Sequence, residues 1–145
     1  DVAALEKIDH SNPLVRYVWP VSGRLSSKFG RRHGKFHEGI DIAAPQGMNV
    51  RASRSGHIIY SSNRISGYGN LVMIRHADGY STIYAHLSKR LVKHGQFVAK
   101  GTVIGQVGMT GHASSPHLHF EVRKGQLPVN PLQFLQRKLY AKVSR

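Results

Sequence analysis

The sequence predicts a mainly β fold built on antiparallel strands. Glycines, 15 in all, separate short runs rich in Val, Ile, Tyr and Phe. Polar and apolar residues alternate strictly along residues 117–122. Helix signals are confined to the two ends of the chain. Turn glycines between short β-branched and aromatic runs are typical of β-rich domains, and the alternation is typical of a strand with one buried face.

The first 16 residues differ in pattern from the rest. Asp1 is able to cap a short helix, which Ser11-Asn12-Pro13 would end. We interpret residues 1–16 as a linker or amino-terminal extension. Residues 17–145 are then expected to form one domain, since a chain of 145 residues with 40% hydrophobic content is large enough for a single core.

The clearest hairpin turns at Asp78-Gly79. We predict the register in which His76 pairs with Ser81 and Leu71 with His86. That register separates the two histidines by about 17 Å at ~3.3 Å per residue, so they cannot bind one metal ion. His76 is therefore expected to decorate the strand near the turn, whereas His86 is free to meet another segment.

From residue 92 to residue 111 the chain repeats a rhythm of glycine followed by hydrophobic residues. This rhythm predicts tight turns between short barrel-like strands. Biotinyl and lipoyl carrier domains have a similar rhythm, but the lysine-bearing hairpin tip that those carriers modify is missing from this sequence.

A helix signal returns near the carboxyl end. Asn130 is a suitable N-cap, Pro131 fits the first helical turn, and Leu132, Leu135 and Leu139 form an apolar stripe. The pattern predicts a short helix at about 131–141.

The charge balance restricts the class of partner. Lys and Arg number 21 against 7 acidic residues, a formal net charge of +14, which attracts polyanions over long range. Nucleic acid, anionic lipid and anionic cell-wall polymer are all candidate partners. Nucleic acid ranks low, because the sequence has 8% aromatic residues and no recognisable nucleic-acid motif. Apolar runs fall well short of the roughly 20 residues that span a bilayer, so no transmembrane segment is expected.

Two short phrases supply candidate metal ligands: His37-Glu38-Gly39-Ile40-Asp41 and His117-Leu118-His119. Imidazole nitrogen and carboxylate oxygen suit Zn²⁺, and three protein ligands leave a position for water, as in catalytic zinc sites. On a strand, His117 and His119 share a face about 6.6 Å apart, and spacing alone does not say which is the ligand. His37 and Asp41 reach one ion only if the chain bends, which Gly39 permits.

Three polar residues near these phrases have less certain roles. Glu38 does not stand in a His-Glu-x-x-His motif, so we expect a solvent-facing carboxylate rather than a catalytic base. His112 and His33 each precede a candidate site histidine in a loop. Either is able to contact a substrate, with a plain loop residue as the alternative.

Six phrases together resemble the lysostaphin/LytM-type zinc endopeptidases. They occur in one order between about Trp19 and Leu135: Arg24-Leu25-Ser26-Ser27-Lys28-Phe29-Gly30, His37-Glu38-Gly39-Ile40-Asp41-Ile42-Ala43-Ala44-Pro45, Gly67-Tyr68-Gly69-Asn70, Tyr84-Ala85-His86-Leu87, Pro116-His117-Leu118-His119-Phe120-Glu121 and Asn130-Pro131-Leu132. Any one phrase alone is weak evidence, whereas six in order are specific.

The resemblance implies a groove over an antiparallel sheet and cleavage of peptide bonds in peptidoglycan. It matches His37, Asp41 and His119 to the ligands of one zinc ion, and His86 and His117 to the pair beside the metal-activated water. Two neutral imidazoles and one carboxylate leave the site positive, which lowers the pKa of that water. One histidine of the pair would take its proton while the other would stabilise the oxyanion or protonate the amine.

The sequence therefore predicts a zinc metalloendopeptidase of the bacterial cell envelope, periplasmic or extracellular, that hydrolyses peptidoglycan stem peptides or cross-bridges. An anionic wall polymer and an inhibitory segment of a longer parent protein are further expected partners. The alternative is a non-catalytic activator of cell-wall amidases with the same fold, against which the five intact site positions argue. Linkages from D-alanine to diaminopimelate and glycine bridges both remain open as the bond that is cut.

Overall fold

A computed structural model describes residues 17–136, so the predictions for residues 1–16 and 137–145 lie outside the described residues. Within this part the elements are strands and one short 3-10 helix: β1 Arg24–Ser27, β2 Gly30–Arg32, β3 Lys35–His37, β4 Ile40–Ala43, β5 Asn49–Arg51, β6 Gly56–Ser62, β7 Asn70–Arg75, β8 Tyr80–Arg90, β9 Phe97–Val98, β10 Val103–Val107, β11 His117–Lys124, β12 Leu127–Val129 and the 3-10 helix Pro131–Gln133. The predicted mainly β fold is confirmed.

One ten-stranded sheet dominates the structure. Its main path runs β1-β4-β11-β8-β7-β6-β9, with β10 pairing to β5 and β8 and with β12 pairing to β11. The pairings along this path are antiparallel. Strand β11 therefore lies between β4 and β8, in the middle of the sheet.

Alternation along β11 assigns its two faces, as the sequence predicts. Leu118, Phe120 and Val122 are fully buried in the main hydrophobic core, and full burial of a large apolar side chain contributes about 1.5–3 kcal/mol. His117 and His119 point to the opposite face. On that face a smaller apolar cluster is centred on residues Leu71, Ile83 and Ala85, so buried apolar side chains pack beside the histidines.

Residues 30–37 form a hairpin, β2–β3, rather than the loop expected from the sequence. Its two-residue turn is His33-Gly34, and both residues have positive φ, 51° and 79°, as a type I′ turn requires. The hairpin is a separate two-stranded sheet. It ends at His37, so it leads directly into the predicted metal site.

The predicted register of the β7–β8 hairpin is wrong by one residue near its turn. The His76 amide donates to the Tyr80 carbonyl (2.8 Å) and Ser81 pairs with Arg75. The turn contains three residues, with Gly79 at φ 86°, and this loop type needs one residue in the left-handed region. His76 is also buried rather than on the surface.

The carboxyl-terminal helix is shorter than predicted in the described residues. Asn130 does cap it, since its side chain accepts a hydrogen bond from the Leu132 amide, but the helix covers only Pro131–Gln133. Leu135 instead forms a parallel bridge with Tyr17. The Tyr17 amide donates to the Phe134 carbonyl (3.1 Å) and the Gln136 amide donates to the Tyr17 carbonyl (2.8 Å), so these backbone groups pair with another segment and not within a helix. Between residues 17 and 136, no helix is long and apolar enough to cross a membrane.

Candidate metal centre and catalytic groove

An open cleft of about 460 Å³ lies over the face of β11 that carries the histidines. All five site residues predicted from the sequence are among those that line it: His37, Glu38, Asp41, Ser66, Gly67, Tyr68, His86, His112, Ser114, His117, His119 and Glu121. Residues 80 positions apart in the sequence thus meet at one concave surface.

The ligand atoms of His37, Asp41 and His119 lie within 4.8 Å of one another. Asp41 on β4 pairs directly with His119 on β11, and the distance from Asp41 Oδ1 to His119 Nδ1 is 2.9 Å. The His37 Nε2 atom is 3.4 Å from the same oxygen. Around a tetrahedral zinc ion with bonds near ~2.1 Å, ligand atoms lie about 3.4 Å apart, so these three donors fit such an ion.

The bend between His37 and Asp41 depends on Gly39 for reasons of space. A Cβ atom at this position would lie 2.3 Å from the carbonyl oxygen of Phe120 and 2.8 Å from Glu121 Cγ. Any side chain there would push β4 away from β11. The glycine therefore permits the close approach that brings Asp41 opposite His119.

Backbone carbonyls fix the tautomers of three histidines in the cleft. The Nδ1 atom is 2.9 Å from the Lys28 carbonyl oxygen in His37, 2.7 Å from that of Thr110 in His86, and 2.8 Å from that of Ser115 in His117. A carbonyl oxygen only accepts, so each Nδ1 carries the hydrogen. In each neutral ring Nε2 is therefore the unprotonated nitrogen that is available as a ligand or a base.

His119 is oriented in the opposite way, by a carboxylate. Its Nε2 lies 2.8 Å from Glu121 Oε2, which leaves Nδ1 facing Asp41. Glu121 is fully buried and also accepts hydrogen bonds from the Tyr68 hydroxyl (2.9 Å) and from Arg123 (2.7 Å). A carboxylate behind a ligand histidine is the usual outer-shell partner in metal sites, where it fixes the tautomer of the ring.

The electrostatics of the cluster favour positive charge. Burial works against a charged His119, but its hydrogen bonds to Asp41 and Glu121 outweigh this effect and raise the pKa of His119 to about 9. Burial likewise opposes ionisation of Asp41, yet hydrogen bonds from His119 and His37 hold the pKa of Asp41 well below its usual range. Two ionised carboxylates around one imidazole form a centre that suits a cation.

His86 has an unusual backbone. Its φ is 64°, and it lies where the β7–β8 register shifts by one residue, between the Val72–Tyr84 and Asn70–Leu87 pairs, as in a β-bulge. Its amide donates to the Tyr68 carbonyl (2.8 Å). Burial lowers the pKa of His86 and so favours the neutral imidazole. The ring lies beside that of His117, with the centroids 4.9 Å apart.

The structure adds residues that sequence reasoning missed. Glu121 is two positions beyond His119, so the period of two places it on the same strand face, but its hydrogen bond to His119 Nε2 has no separate signal in the sequence. Tyr68 belongs to one of the recognised phrases, but its contact with Glu121 spans 53 positions and has no local signal. Glu38 lies at the rim of the cleft, half exposed and ion-paired with Arg123 at 3.1 Å. His112 lines the cleft, whereas exposed His33 is at the tip of the β2–β3 hairpin.

The family model of Peptidase family M23 matches residues 35–131, about two thirds of the chain. The chain belongs to that family, which confirms the resemblance to the lysostaphin/LytM-type peptidases seen in the sequence.

Similar proteins carry two kinds of name. The DD-carboxypeptidase/endopeptidase Mpg of Neisseria meningitidis is 51% identical over 118 residues, 77% of this chain and 27% of Mpg. The murein hydrolase activator NlpD of Escherichia coli is 40% identical over 128 residues, 88% of this chain and 33% of NlpD. The chain spans about a fifth to a third of the length of the curated relatives it matches.

A solved structure also matches. The crystal structure of a zinc-containing peptidase from Vibrio cholerae superposes with a TM-score of 0.75 and 36% identity, over 81% of this chain and 39% of that one. The match extends the family assignment from sequence to three-dimensional fold.

Proposed function

We propose that this domain is a zinc metalloendopeptidase that hydrolyses peptide bonds in peptidoglycan stem peptides or cross-bridges, at the bacterial cell envelope. The observation that supports the proposal is the completeness of the cluster. Three donors lie at the spacing of a tetrahedral ion, and His86 and His117 stand beside them with fixed tautomers in an open cleft.

The ligands in this proposal are His37 through Nε2, Asp41 through a carboxylate oxygen, and His119 through Nδ1. When bound, zinc supplies the Lewis acidity that polarises a peptide carbonyl and lowers the pKa of a water molecule. Glu121 holds His119 in the orientation that presents Nδ1, because it accepts the hydrogen on Nε2. The Lys28 carbonyl accepts the hydrogen on His37 Nδ1 and so leaves Nε2 as the ligand atom of that ring.

His86 and His117 supply the proton transfers. Each donates its Nδ1 hydrogen to a backbone carbonyl, so each offers an Nε2 lone pair to a proton from the attacking water. Two imidazolium ions at a ring separation of 4.9 Å repel each other, so one ring takes the proton while the other remains neutral. The protonated ring then donates that proton to the departing amine, which returns the ring to its neutral form.

A second candidate is a non-catalytic activator of cell-wall amidases. The observation that favours it is the 40% identity to a protein named murein hydrolase activator. The two candidates differ in what the isolated domain does, since an activator releases no peptides by itself and increases the activity of an added amidase.

The test incubates the purified domain with peptidoglycan sacculi and follows released muropeptides by mass spectrometry. We expect release that stops with a chelator and returns with added zinc, and none from the His119→Ala variant. Release that is indifferent to metal removal would contradict the mechanism. Stimulation of an amidase without release by the domain would favour the activator. A longer form of the protein assayed in parallel tests for an inhibitory segment.

A further inference from the structure

The β2–β3 hairpin carries an unfavourable arrangement of charge. Arg32 and Lys35 are directly opposite each other in its register, one residue from the turn, and both are exposed. Like charges at directly opposed positions destabilise a two-stranded pairing. A hairpin of three residues per strand has little stability to spare, so the repulsion between Arg32 and Lys35 opposes the local pairing.

Other contacts hold the hairpin in place despite that repulsion. Phe36 is half exposed but packs edge-on against Phe29, with ring centroids 5.2 Å apart and an interplanar angle of 83°. Phe29 in turn packs against the main core. The I′ turn at His33-Gly34 matches the twist of the strands. These contacts fix the hairpin against the core, so its charged side chains have a defined location.

The acidic residues of the described chain do not neutralise the hairpin. Within residues 17–136 they are Glu38, Asp41, Asp78 and Glu121. Glu38 and Glu121 pair with Arg123, Asp78 pairs with Arg54, and Asp41 faces the histidine cluster. None of these ion pairs involves Arg31, Arg32 or Lys35, so the hairpin is a site of concentrated positive charge.

The hairpin also adjoins the proposed catalytic cluster. Gly30 pairs with His37 and Arg32 with Lys35, so the period of two along a strand puts Arg32 and Lys35 on the same face as His37. The rise per residue places the Cα atoms of Lys35 and His37 about 6.6 Å apart. A peptide that lies in the cleft and continues past His37 therefore reaches the basic side chains.

We propose that the β2–β3 hairpin binds carboxylates of the substrate peptide and thereby selects stem peptides with free carboxylates over uncharged glycine bridges. This inference rests on the proposed peptidase function and names its substrate class. Arg32 and Lys35 together provide several donors at the spacing of one cross-strand pair, which suits a carboxylate that bridges them. The adjacency to His37 favours a peptide ligand over a phosphate-bearing wall polymer.

Binding is measured by fluorescence anisotropy on the zinc-loaded His117→Ala variant, which is expected to bind peptide without cleaving it. The probes are a synthetic cross-linked stem peptide with free carboxylates, the same peptide with those carboxylates amidated, and inorganic polyphosphate. The test variant is Arg32→Gln/Lys35→Gln. Its matched control is Lys93→Gln/Lys100→Gln, which removes the same charge from exposed positions flanking β9, the last strand on the main path of the ten-stranded sheet.

We expect the hairpin variant to bind the free-carboxylate peptide about tenfold more weakly, as the loss of two exposed charge contacts implies, and the amidated peptide within about twofold. The control variant should change the affinity for neither peptide by more than about twofold. Equal losses for both peptides, or an equal loss in the control, would overturn the inference. Loss of polyphosphate binding with unchanged peptide binding would overturn it in favour of a phosphate polymer.

A second variant separates charge from folding. Lys35→Glu creates an opposite-charge pair with Arg32, so it should preserve or raise the thermal midpoint of unfolding. It should also weaken binding of the free-carboxylate peptide, as the first variant does. Unchanged binding in this variant would overturn the inference. Zinc-dependent muropeptide release without carboxylate preference would also overturn it but leave the proposed function intact. Carboxylate preference without any release would defeat the peptidase function alone.

Discussion

Two clusters of the same residue types lie on opposite faces of the sheet. The groove cluster contains His119, Glu121, Arg123 and Tyr68. The core cluster contains His76, Asp78, Arg54 and Tyr17, in which Arg54 forms hydrogen bonds to both Asp78 oxygens (3.0 and 3.1 Å) and to the Tyr17 hydroxyl (2.9 Å). Each cluster combines one histidine, one carboxylate, one arginine and one tyrosine.

The histidines show the difference between the two clusters. His76 is buried with both ring nitrogens bonded, to the Ser55 carbonyl (2.7 Å) and the Thr82 hydroxyl (2.9 Å). His119 has one nitrogen held by Glu121 and the other directed at Asp41 beside the cleft. The residue types in a cluster therefore do not tell whether it can bind a metal ion. A better indicator is whether one histidine nitrogen faces an open surface.

Loss of an imidazole should have its largest effect in the groove. His86→Ala and His117→Ala are each expected to lower peptide hydrolysis by about 10²–10⁴-fold, because a proton-transfer group is lost, while zinc stoichiometry stays near one per chain. His76→Ala should lower thermal stability but leave the turnover of folded protein within about twofold. Activity assays and metal analysis on the same samples check this. Zinc loss in either groove variant would mean that ligand and proton-transfer roles are exchanged.

Removing an arginine should have its largest effect in the core. Arg54 is 1% exposed, so Arg54→Met is expected to lower the free energy of unfolding by about 3–5 kcal/mol, since it leaves Asp78 without its buried partner. The zinc stoichiometry of the folded fraction should not change. Denaturant unfolding measures the loss, and the double variant Arg54→Met/Asp78→Asn should recover part of it. A double variant less stable than the single one would show that the ion pair is not the source.

The groove carboxylate should control metal affinity. Glu121→Gln is expected to weaken zinc binding about 10–100-fold, because the amide is a weaker acceptor for the His119 Nε2 hydrogen. Glu38→Gln is the matched control, since Glu38 contacts the same Arg123 from an exposed position. Competition with a chromophoric chelator gives both affinities. Equal zinc affinities for the two variants would show that Glu121 does not support the ligand.

The smallest contrast concerns the two tyrosine hydroxyls. Tyr68→Phe removes the hydrogen bond to Glu121 and Tyr17→Phe removes the hydrogen bond from Arg54, so the loss of each bond should cost about 1 kcal/mol of stability. Tyr68→Phe should in addition weaken zinc binding a few-fold, because Glu121 loses a donor that fixes its position. Tyr17→Phe should not alter zinc affinity. If both variants change zinc affinity, or if neither does, then Tyr68 has no specific role in supporting Glu121.

Local patterns in the sequence were sufficient for part of this picture. Alternation along β11 correctly separated Leu118 and Phe120 from His117 and His119, because a strand has a fixed period of two. The glycine spacing correctly indicated a β-rich body. The meeting of His37, Asp41 and His119 in one cluster was also foreseen, although from the family resemblance and not from spacing.

Features that depend on distant contacts were not predictable in the same way. The β7–β8 register depended on a three-residue turn that resembles a two-residue one in sequence. The helix expected at about 131–141 competes with the pairing of Leu135 to Tyr17, 118 positions away. Which nitrogen each histidine presents is set by carbonyls and a carboxylate in other segments, so no local pattern records it.

The backbone of His86 bears on how the proposed activity would be lost. A residue with a Cβ atom is disfavoured in the left-handed region by roughly 1 kcal/mol, whereas glycine is not. Among the five histidine and aspartate positions of the cluster, only this one has such a torsion. Under the proposed function, His86→Gly would thus remove a proton-transfer group and relieve backbone strain in the same substitution. Among the five positions, this is the one where the backbone least opposes loss of the side chain.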